Sequence, residues 1–187
     1  MIIGLTGKNA AGKGEVAKHL QEKGYVYFSL SDELRKEATN RGLVHSRENL
    51  ISLGTELREK EGVGCLALKI NKQIDSLKKE GKTHFVVDSI RNPGEIEELR
   101  KNKDFVLMGI HTDAKIRFER LLKRGRTGDA KTLEEFKDYE EKENKTSGSG
   151  QQLGKCLELA DITISSNGTI EKANDDVDKC LSSINNN

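Results

Sequence analysis

The chain has no apolar run approaching the roughly 20 residues needed to cross a bilayer. It also lacks an excess of charge of one sign: 32 Lys and Arg stand against 31 Asp and Glu, a formal net charge of +1. Bulk electrostatic attachment to nucleic acid or to an anionic membrane is therefore disfavoured, and any phosphate-binding charge must be local. Cysteine is scarce. Cys65, Cys156 and Cys180 are odd in number, scattered and without metal-ligand spacing, so they are expected to be reduced structural thiols. The four histidines, His19, His45, His84 and His111, are equally dispersed and are expected to be packed or solvated. Proline occurs once, at Pro93. The opening Met1-Ile2-Ile3-Gly4-Leu5 carries no basic leader and is expected to be a buried strand rather than a signal peptide. A cytoplasmic location follows as an expectation.

What is present fits one domain. A length of 187 residues can bury a single sizeable core, and equal shares of hydrophobic and charged residues, 34% each, suit helices with polar outer faces. Short apolar runs at Ile2 to Thr6, Tyr25 to Phe28, His84 to Asp88, Phe105 to Ile110 and Asp161 to Ile164 predict five strands. Helical spacing fills the intervals: Glu15 to Lys23, then about fifty residues from Ser31 with breaks near Gly42 and at Gly62-Val63-Gly64. Ser31 is a candidate N-cap, with Asp32 and Glu33 in the first turn. Further helices are expected from Pro93 to near Lys101, over Ala114 to Lys123, and over Glu171 to Ile184, with Asn185-Asn186-Asn187 as a frayed end. Strands separated by helices imply an α/β fold with a parallel sheet and helices on both faces. The stretch from Thr127 to Gly150 is polar and charged, and no core face is evident in it.

The chemistry is concentrated after the first strand. Gly7-Lys8-Asn9-Ala10-Ala11-Gly12-Lys13 is a loop suited to holding phosphates. Glycines allow the backbone to wrap an anion closely, inward N–H groups and a helix N-terminus supply positive potential, and Lys13 adds a mobile charge. The residue after Lys13 is usually Ser or Thr, whose hydroxyl ligates Mg²⁺. Here it is Gly14, followed by Glu15.

The Gly-Lys-Gly stretch resembles that of adenylate kinases, and the resemblance extends along nearly the whole chain. Phe28-Ser29-Leu30-Ser31-Asp32-Glu33-Leu34-Arg35 is similar to the segment after the second strand of nucleoside monophosphate kinases, where an arginine binds the acceptor phosphate. Asp88-Ser89-Ile90-Arg91 is similar to their Asp-Gly-…-Arg stretch. Asp88 closes a strand at the carboxyl edge of the sheet, where ligands of open α/β sheets bind. A carboxylate there can hold Mg²⁺ through water or orient an acceptor, and Arg91 can fork onto a phosphate. The other reading of Asp88 and Arg91 is a helix cap and a salt bridge ahead of Pro93. Arg117, Arg120, Arg124 and Arg126 resemble the basic approach to a lid, and Arg120 and Arg124 share a helix face. A solvated basic helix balanced by Glu119 and the acidic stretch 134–143 is the alternative. The run Glu140-Glu141-Lys142-Glu143 reads as a solvated helix face rather than a metal site. Asn167 and Gly168, after the fifth strand, resemble the adenine-side turn of dephospho-coenzyme A kinases, though they need only be turn residues.

The resemblance implies a three-layer P-loop kinase fold in a single domain 1–187, with an acceptor-binding helical insertion at about 31–80 and a short lid at about 125–150. It implies ATP and Mg²⁺ as cofactors, bound by residues 7–15 and by Asn167 and Gly168, with Asp88 as the metal-side carboxylate. Lys13, Asp88, Arg120 and Arg124 would be catalytic. Ser31, Asp32, Arg35, Arg91 and Arg126 would hold the acceptor. The expected activity is phosphoryl transfer to a small acceptor, first a (deoxy)nucleoside monophosphate, with dephospho-coenzyme A as the alternative. The Ser-Leu-Ser-Asp-x-Leu-Arg and Asp-Ser-Ile-Arg-Asn-Pro-Gly-Glu stretches also resemble kinase-like domains that accompany deoxycytidylate deaminases, but no deaminase zinc signature is present. A low-turnover nucleotide sensor is the alternative of another class. A GTPase is disfavoured, because no Asn-Lys-x-Asp motif occurs. A monomer or homodimer without nucleic-acid or membrane partners is expected.

Overall fold

Five apolar segments pair in parallel: β1 (Ile2–Thr6), β2 (Val26–Ser29), β3 (Phe85–Ile90), β4 (Phe105–His111) and β5 (Ile162–Ser165). Their order in the sheet is β2-β3-β1-β4-β5. The structure is a computed structural model and describes residues 1–125, 129–144 and 148–185. The expected α/β fold with a five-stranded parallel sheet is therefore what the chain adopts. Asn186 and Asn187, expected as part of a frayed end, lie outside the described residues.

Period-two alternation divides the sheet between two cores. Ile2, Phe85, Val87, Phe105 and Leu107 face one; Ile3, Leu5, Val86, Met108 and Ile110 face the other. Gly4 lies on the first face between β3 and β4. A Cβ there would fall 2.6 Å from the Phe105 ring, so glycine leaves that ring its place. Helix α1 (Lys13–Glu22) covers the second face through Val16, Ala17 and Leu20. Beside it lies α9 (Ile170–Asn185), which buries Ala173, Val177 and Leu181 at a spacing of four.

The first face carries the long helical stretch. It forms α2 (Leu30–Asn40), α3 (Arg47–Glu61) and α4 (Cys65–Lys79), broken at Gly42 and Gly62, both with left-handed backbone. Leu66, Ile70 and Ile74 of α4 are fully buried, and each such side chain contributes about 1.5–3 kcal/mol. Ser31 is not the cap of α2. The helix begins one residue earlier behind Ser29, and Ser31 sits inside the first turn. Helix α5 (Pro93–Leu99) has Pro93 in its first turn and a capping box: Asn92 accepts from Gly94 N at 2.9 Å and Glu95 Oε2 accepts from Asn92 N at 3.1 Å. Asn92 therefore takes the capping role that the alternative reading had given to Asp88.

One helix and the core face of another were not evident in the sequence. After α6 (Ala114–Arg124) comes α7 (Leu133–Asn144), and it does have a core face. Phe136 is buried with Leu121 and Ala130, backed by Phe118, Leu133 and Tyr139. A short α8 (Leu153–Glu158) buries Cys156 against the first face and Leu153 beside the cleft. Burial pushes the Cys156 thiol up to about 12 and raises those of Cys65 and Cys180. All three cysteines are free, as expected of structural thiols. Among the described residues no helix is long and apolar enough to cross a membrane.

Candidate functional site

The site starts where β1 turns into α1. Gly7 and Gly12 have φ of 150° and 102°. A Cβ on Gly7 would lie 2.5 Å from the Ile110 carbonyl oxygen, and one on Gly12 would lie 2.7 Å from Ser166 Oγ. The chain can follow this path only with glycine at both positions. Ala10 between them also has positive φ, 59°. Gly14, by contrast, has open space around it and ordinary backbone, so its place in the fold requires no glycine.

Outer partners hold the loop carbonyls. Thr112 Oγ1 donates to Ala11 O at 2.8 Å, and Arg120 Nη1 donates to the same oxygen at 3.4 Å. Arg117 Nη1 donates to Asn9 O at 3.4 Å. A peptide is planar, with its C=O and N–H on opposite sides. Fixing the carbonyls of Asn9 and Ala11 outward turns the N–H groups of Ala10 and Gly12 the other way, toward an anion. Lys13 Nζ lies over the loop and donates to Gly7 O at 2.7 Å and to Lys8 O at 3.1 Å. Burial lowers its pKa from 10.5 to about 8; Asp88 opposes the shift, and Arg91, Arg117 and Arg124 reinforce it.

The carboxyl edge of β3 supplies the next group. Opposite β1, the register moves by one residue between Gly4 and Thr6, so β3 carries one extra residue here. Ser89 takes the left-handed conformation, φ 67°, and its N–H donates to Asp88 Oδ1 at 2.6 Å. Tyr27 Oη donates to Asp88 Oδ2 at 3.5 Å. Thr6 Oγ1 donates to Ile90 O at 3.0 Å and ties the bulge back to β1. The bulge leaves Asp88 mostly buried beside Lys13 and turns Ser89 into the cleft.

That cleft encloses about 290 Å³ and runs from the phosphate loop to the α2–α3 pair. Gly7, Asn9 and Lys13 line one end. Ser31, Arg35, Arg91 and Arg124 line it further along, and Leu34, Leu50 and Ile51 form an apolar wall. Arg91 donates through Nη2 to Ser31 Oγ at 3.1 Å and through Nη1 to Gln151 Oε1 at 3.3 Å. Arg35 pairs with Asp32 one turn back. Arg124 Nη2 donates to both carboxylate oxygens of Asp129 at 3.0 Å, and its Nη1 donates to Asn9 Oδ1 at 3.3 Å.

The structure separates the other expected residues. Arg120 lies between the loop and the β5–α9 turn, donating to Ser166 O at 2.6 Å. Asn167 and Gly168 are exposed at that turn, and Asn167 Oδ1 accepts from Asp113 N at 2.8 Å. Lys8 pairs with Glu140 at 3.6 Å, and Glu15 is exposed. Arg126 lies outside the described residues, as do Thr127 and Gly128 of the expected lid. Glu140 is a correction: it is buried and bidentate on the buried Arg117, not part of a solvated face. Four site residues were missed. Thr112 and Gln151 carry no motif, and Ser89 lies within Asp88-Ser89-Ile90-Arg91 but was given no role there. Asp129 sits in Arg-Thr-Gly-Asp, where its spacing of five from Arg124 was the available signal.

The residues present fit a bound nucleotide and its metal. The loop is a cradle that a Cβ at Gly7 or Gly12 would fill. Among the described residues no cluster of three or more His, Cys, Asp or Glu forms an all-protein metal cage. Mg²⁺ is commonly held by one or two carboxylates, waters and substrate phosphates, and a single carboxylate, Asp88, beside the loop suits that mode.

A family model described as an AAA domain matches residues 3–146. A UPF0200 protein of Pyrococcus horikoshii is 37% identical over 188 residues, covering 98% of this chain and 97% of that protein. Among solved structures, shikimate kinase from Aquifex aeolicus superposes with a TM-score of 0.54 at 18% identity, covering 98% of this chain and 97% of the other. Dephospho-CoA kinase from Campylobacter jejuni superposes with a TM-score of 0.52 at 15% identity, covering 98% and 96%. At such identities the two superpositions establish a shared P-loop kinase-like fold.

Proposed function

Because the chain belongs to the UPF0200 family and has a P-loop kinase-like fold, we propose that it transfers the γ-phosphoryl group of ATP to a small phosphorylated acceptor, a (deoxy)nucleoside monophosphate first. One observation carries this reading. A single cleft joins the phosphate loop to Arg35 and Arg91, and Leu34, Leu50 and Ile51 give it apolar lining. Hydrolysis or simple nucleotide storage needs no second arginine-lined compartment. A base and sugar can lie along the wall while their phosphate meets the guanidiniums.

The parts divide as follows. The loop amides and Lys13 hold the donor phosphates, with Gly7 to Glu15 forming the loop and its helix start. ATP supplies the phosphoryl group, and Mg²⁺, held beside Asp88, offsets charge on the phosphates. Ser31 and Asp32 set the orientation of Arg91 and Arg35, which hold the acceptor phosphate. Arg124 faces charge that develops on the transferred group, and Arg120 steadies the loop from behind. Asn167 and Gly168 lie along the path of the adenine. An acceptor phosphate oxygen is already nucleophilic, so no strong base is needed; a hydroxyl acceptor would require Asp88 as base.

The test is a coupled assay of ADP formation across ribo- and deoxynucleoside monophosphates and dephospho-coenzyme A. Acceptor-dependent ADP formation, abolished in Lys13→Ala, is the expected result. Nucleotide binding without turnover on any acceptor would instead make the protein a sensor.

A further inference from the structure

The segment that returns from α7 to the sheet is clamped from three directions. Asn92 Nδ2 donates to Gly148 O and Gly150 O, both at 2.8 Å. Gln152 N donates to Arg91 O at 2.7 Å, and Gln152 Nε2 to Gly148 O at 2.8 Å. Arg58 Nη1 donates to Ser149 O at 3.3 Å. Arg58 is itself anchored by the fully buried Glu95, at 3.0 Å through Nε and 2.8 Å through Nη2. The other oxygen of Glu95 accepts from Arg91 N at 2.8 Å.

One side chain is delivered to the cleft wall by this clamp. Gln151 is 8% exposed, and its Oε1 accepts from Arg91 Nη1 while Ser31 Oγ accepts from Nη2. Both of these oxygens belong to neutral groups. A carboxylate at position 151 would hold the same nitrogen, but it would also lower the positive potential where an anion must bind. An amide fixes direction and leaves the charge in place.

We infer that Gln151 is a positioning residue for Arg91, aiming the guanidinium into the cleft without neutralising it. The inference rests on the proposed role of Arg91 as a ligand of the acceptor phosphate. It also explains why the return segment is tied to Arg91 at the backbone: Gln151 and Arg91 are fixed in one frame.

The test uses the full chain and titrates dCMP and AMP by calorimetry in the presence of a non-hydrolysable ATP analogue. Binding of a fluorescent ATP derivative reports separately on the donor site. Gln151→Met keeps the shape and loses the acceptor oxygen; monophosphate affinity is expected to fall about tenfold with donor binding unchanged. Gln151→Glu keeps an acceptor oxygen and adds charge. Its affinity is also expected to fall about tenfold or more, and the deficit should shrink as salt is raised, unlike that of Gln151→Met. In an Arg91→Ala background, Gln151→Met should have no further effect. Wild-type affinity in both single variants, with Arg91→Ala impaired, would overturn the inference and leave the acceptor site standing. Loss of donor binding in both variants would overturn it too, since the clamp would then be structural only. Wild-type protein that binds the ATP derivative but neither monophosphate would remove the acceptor reading, and this inference with it.

Discussion

The pKa of Lys13 makes nucleotide affinity depend on pH in a way that isolates this one group. Burial holds the free ammonium near 8 instead of 10.5, with Arg91, Arg117 and Arg124 adding to the shift and Asp88 opposing it. In the unfolded chain the same lysine titrates near 10.5. Between those values the unfolded state carries more protons, so stability of the nucleotide-free protein rises with pH across this window. Binding behaves oppositely. A triphosphate beside Lys13 restores its charged form, so the complex takes up a proton that the free protein has lost. At pH 8 the free lysine is half charged, and binding should absorb about 0.5 proton. From pH 7 to pH 9 the Kd for an ATP analogue should rise about tenfold, because only about one free molecule in ten keeps the charge at the higher pH. Titration calorimetry in buffers of different ionisation enthalpy measures the proton directly. In Lys13→Arg the dependence should vanish, since guanidinium does not titrate in this range. Zero proton uptake at pH 8 with a flat Kd would refute the argument.

Four further outcomes follow from packing. Gly7→Ala places a Cβ 2.5 Å from a backbone oxygen at a φ that L-residues avoid, and should cost about 2 kcal/mol or more, read as a fall in Tm and loss of nucleotide binding. Gly14→Ser meets nothing within 4 Å and should leave Tm unchanged within about 2 °C. Glu140→Gln leaves Arg117 buried beside a neutral group and should cost about 3–5 kcal/mol in urea unfolding, whereas the double variant Arg117→Met/Glu140→Met should cost less. Ser89→Gly relieves left-handed backbone and should gain about 1 kcal/mol by the same measurement.

Local pattern carried most of the fold. Short apolar runs marked all five strands, to within one residue at every end except the carboxyl end of β3, where the bulge carries the strand two residues past Asp88 to Ile90. The breaks at Gly42 and Gly62 were visible because left-handed backbone selects glycine locally. The core face of α7 and the whole of α8 were not visible. Phe136 is buried only because Leu121 and Ala130 meet it, and the six-residue α8 is too short to show a period. Glu140 shows the same limit in charge. Within Glu140-Glu141-Lys142-Glu143 it looks solvated, and what buries it is Arg117, 23 residues away on another helix.

The arginines of α6 show how far spacing alone can be read. Arg117, Arg120 and Arg124 are three and four residues apart, so one stripe of the helix was expected to carry them. The spacing could not tell which would face a ligand and which would hold the protein together. In the structure the stripe runs along the back of the phosphate loop, and each residue meets it at a different point. Arg117 binds Asn9 O and the buried Glu140. Arg120 binds Ala11 O and the Ser166 carbonyl. Arg124 binds the Asn9 side chain and Asp129, and lines the cleft. Burial follows the same order, from Arg117 at 3% exposed outward to Arg124, whose side chain is 28% exposed. A guanidinium already locked to a buried carboxylate cannot turn to a phosphate without stranding that carboxylate. Arg124, paired at the cleft surface, can exchange Asp129 for a phosphate at little cost. The basic helix is thus one device with a graded duty, bracing the loop at its first arginine and lining the cleft at its last.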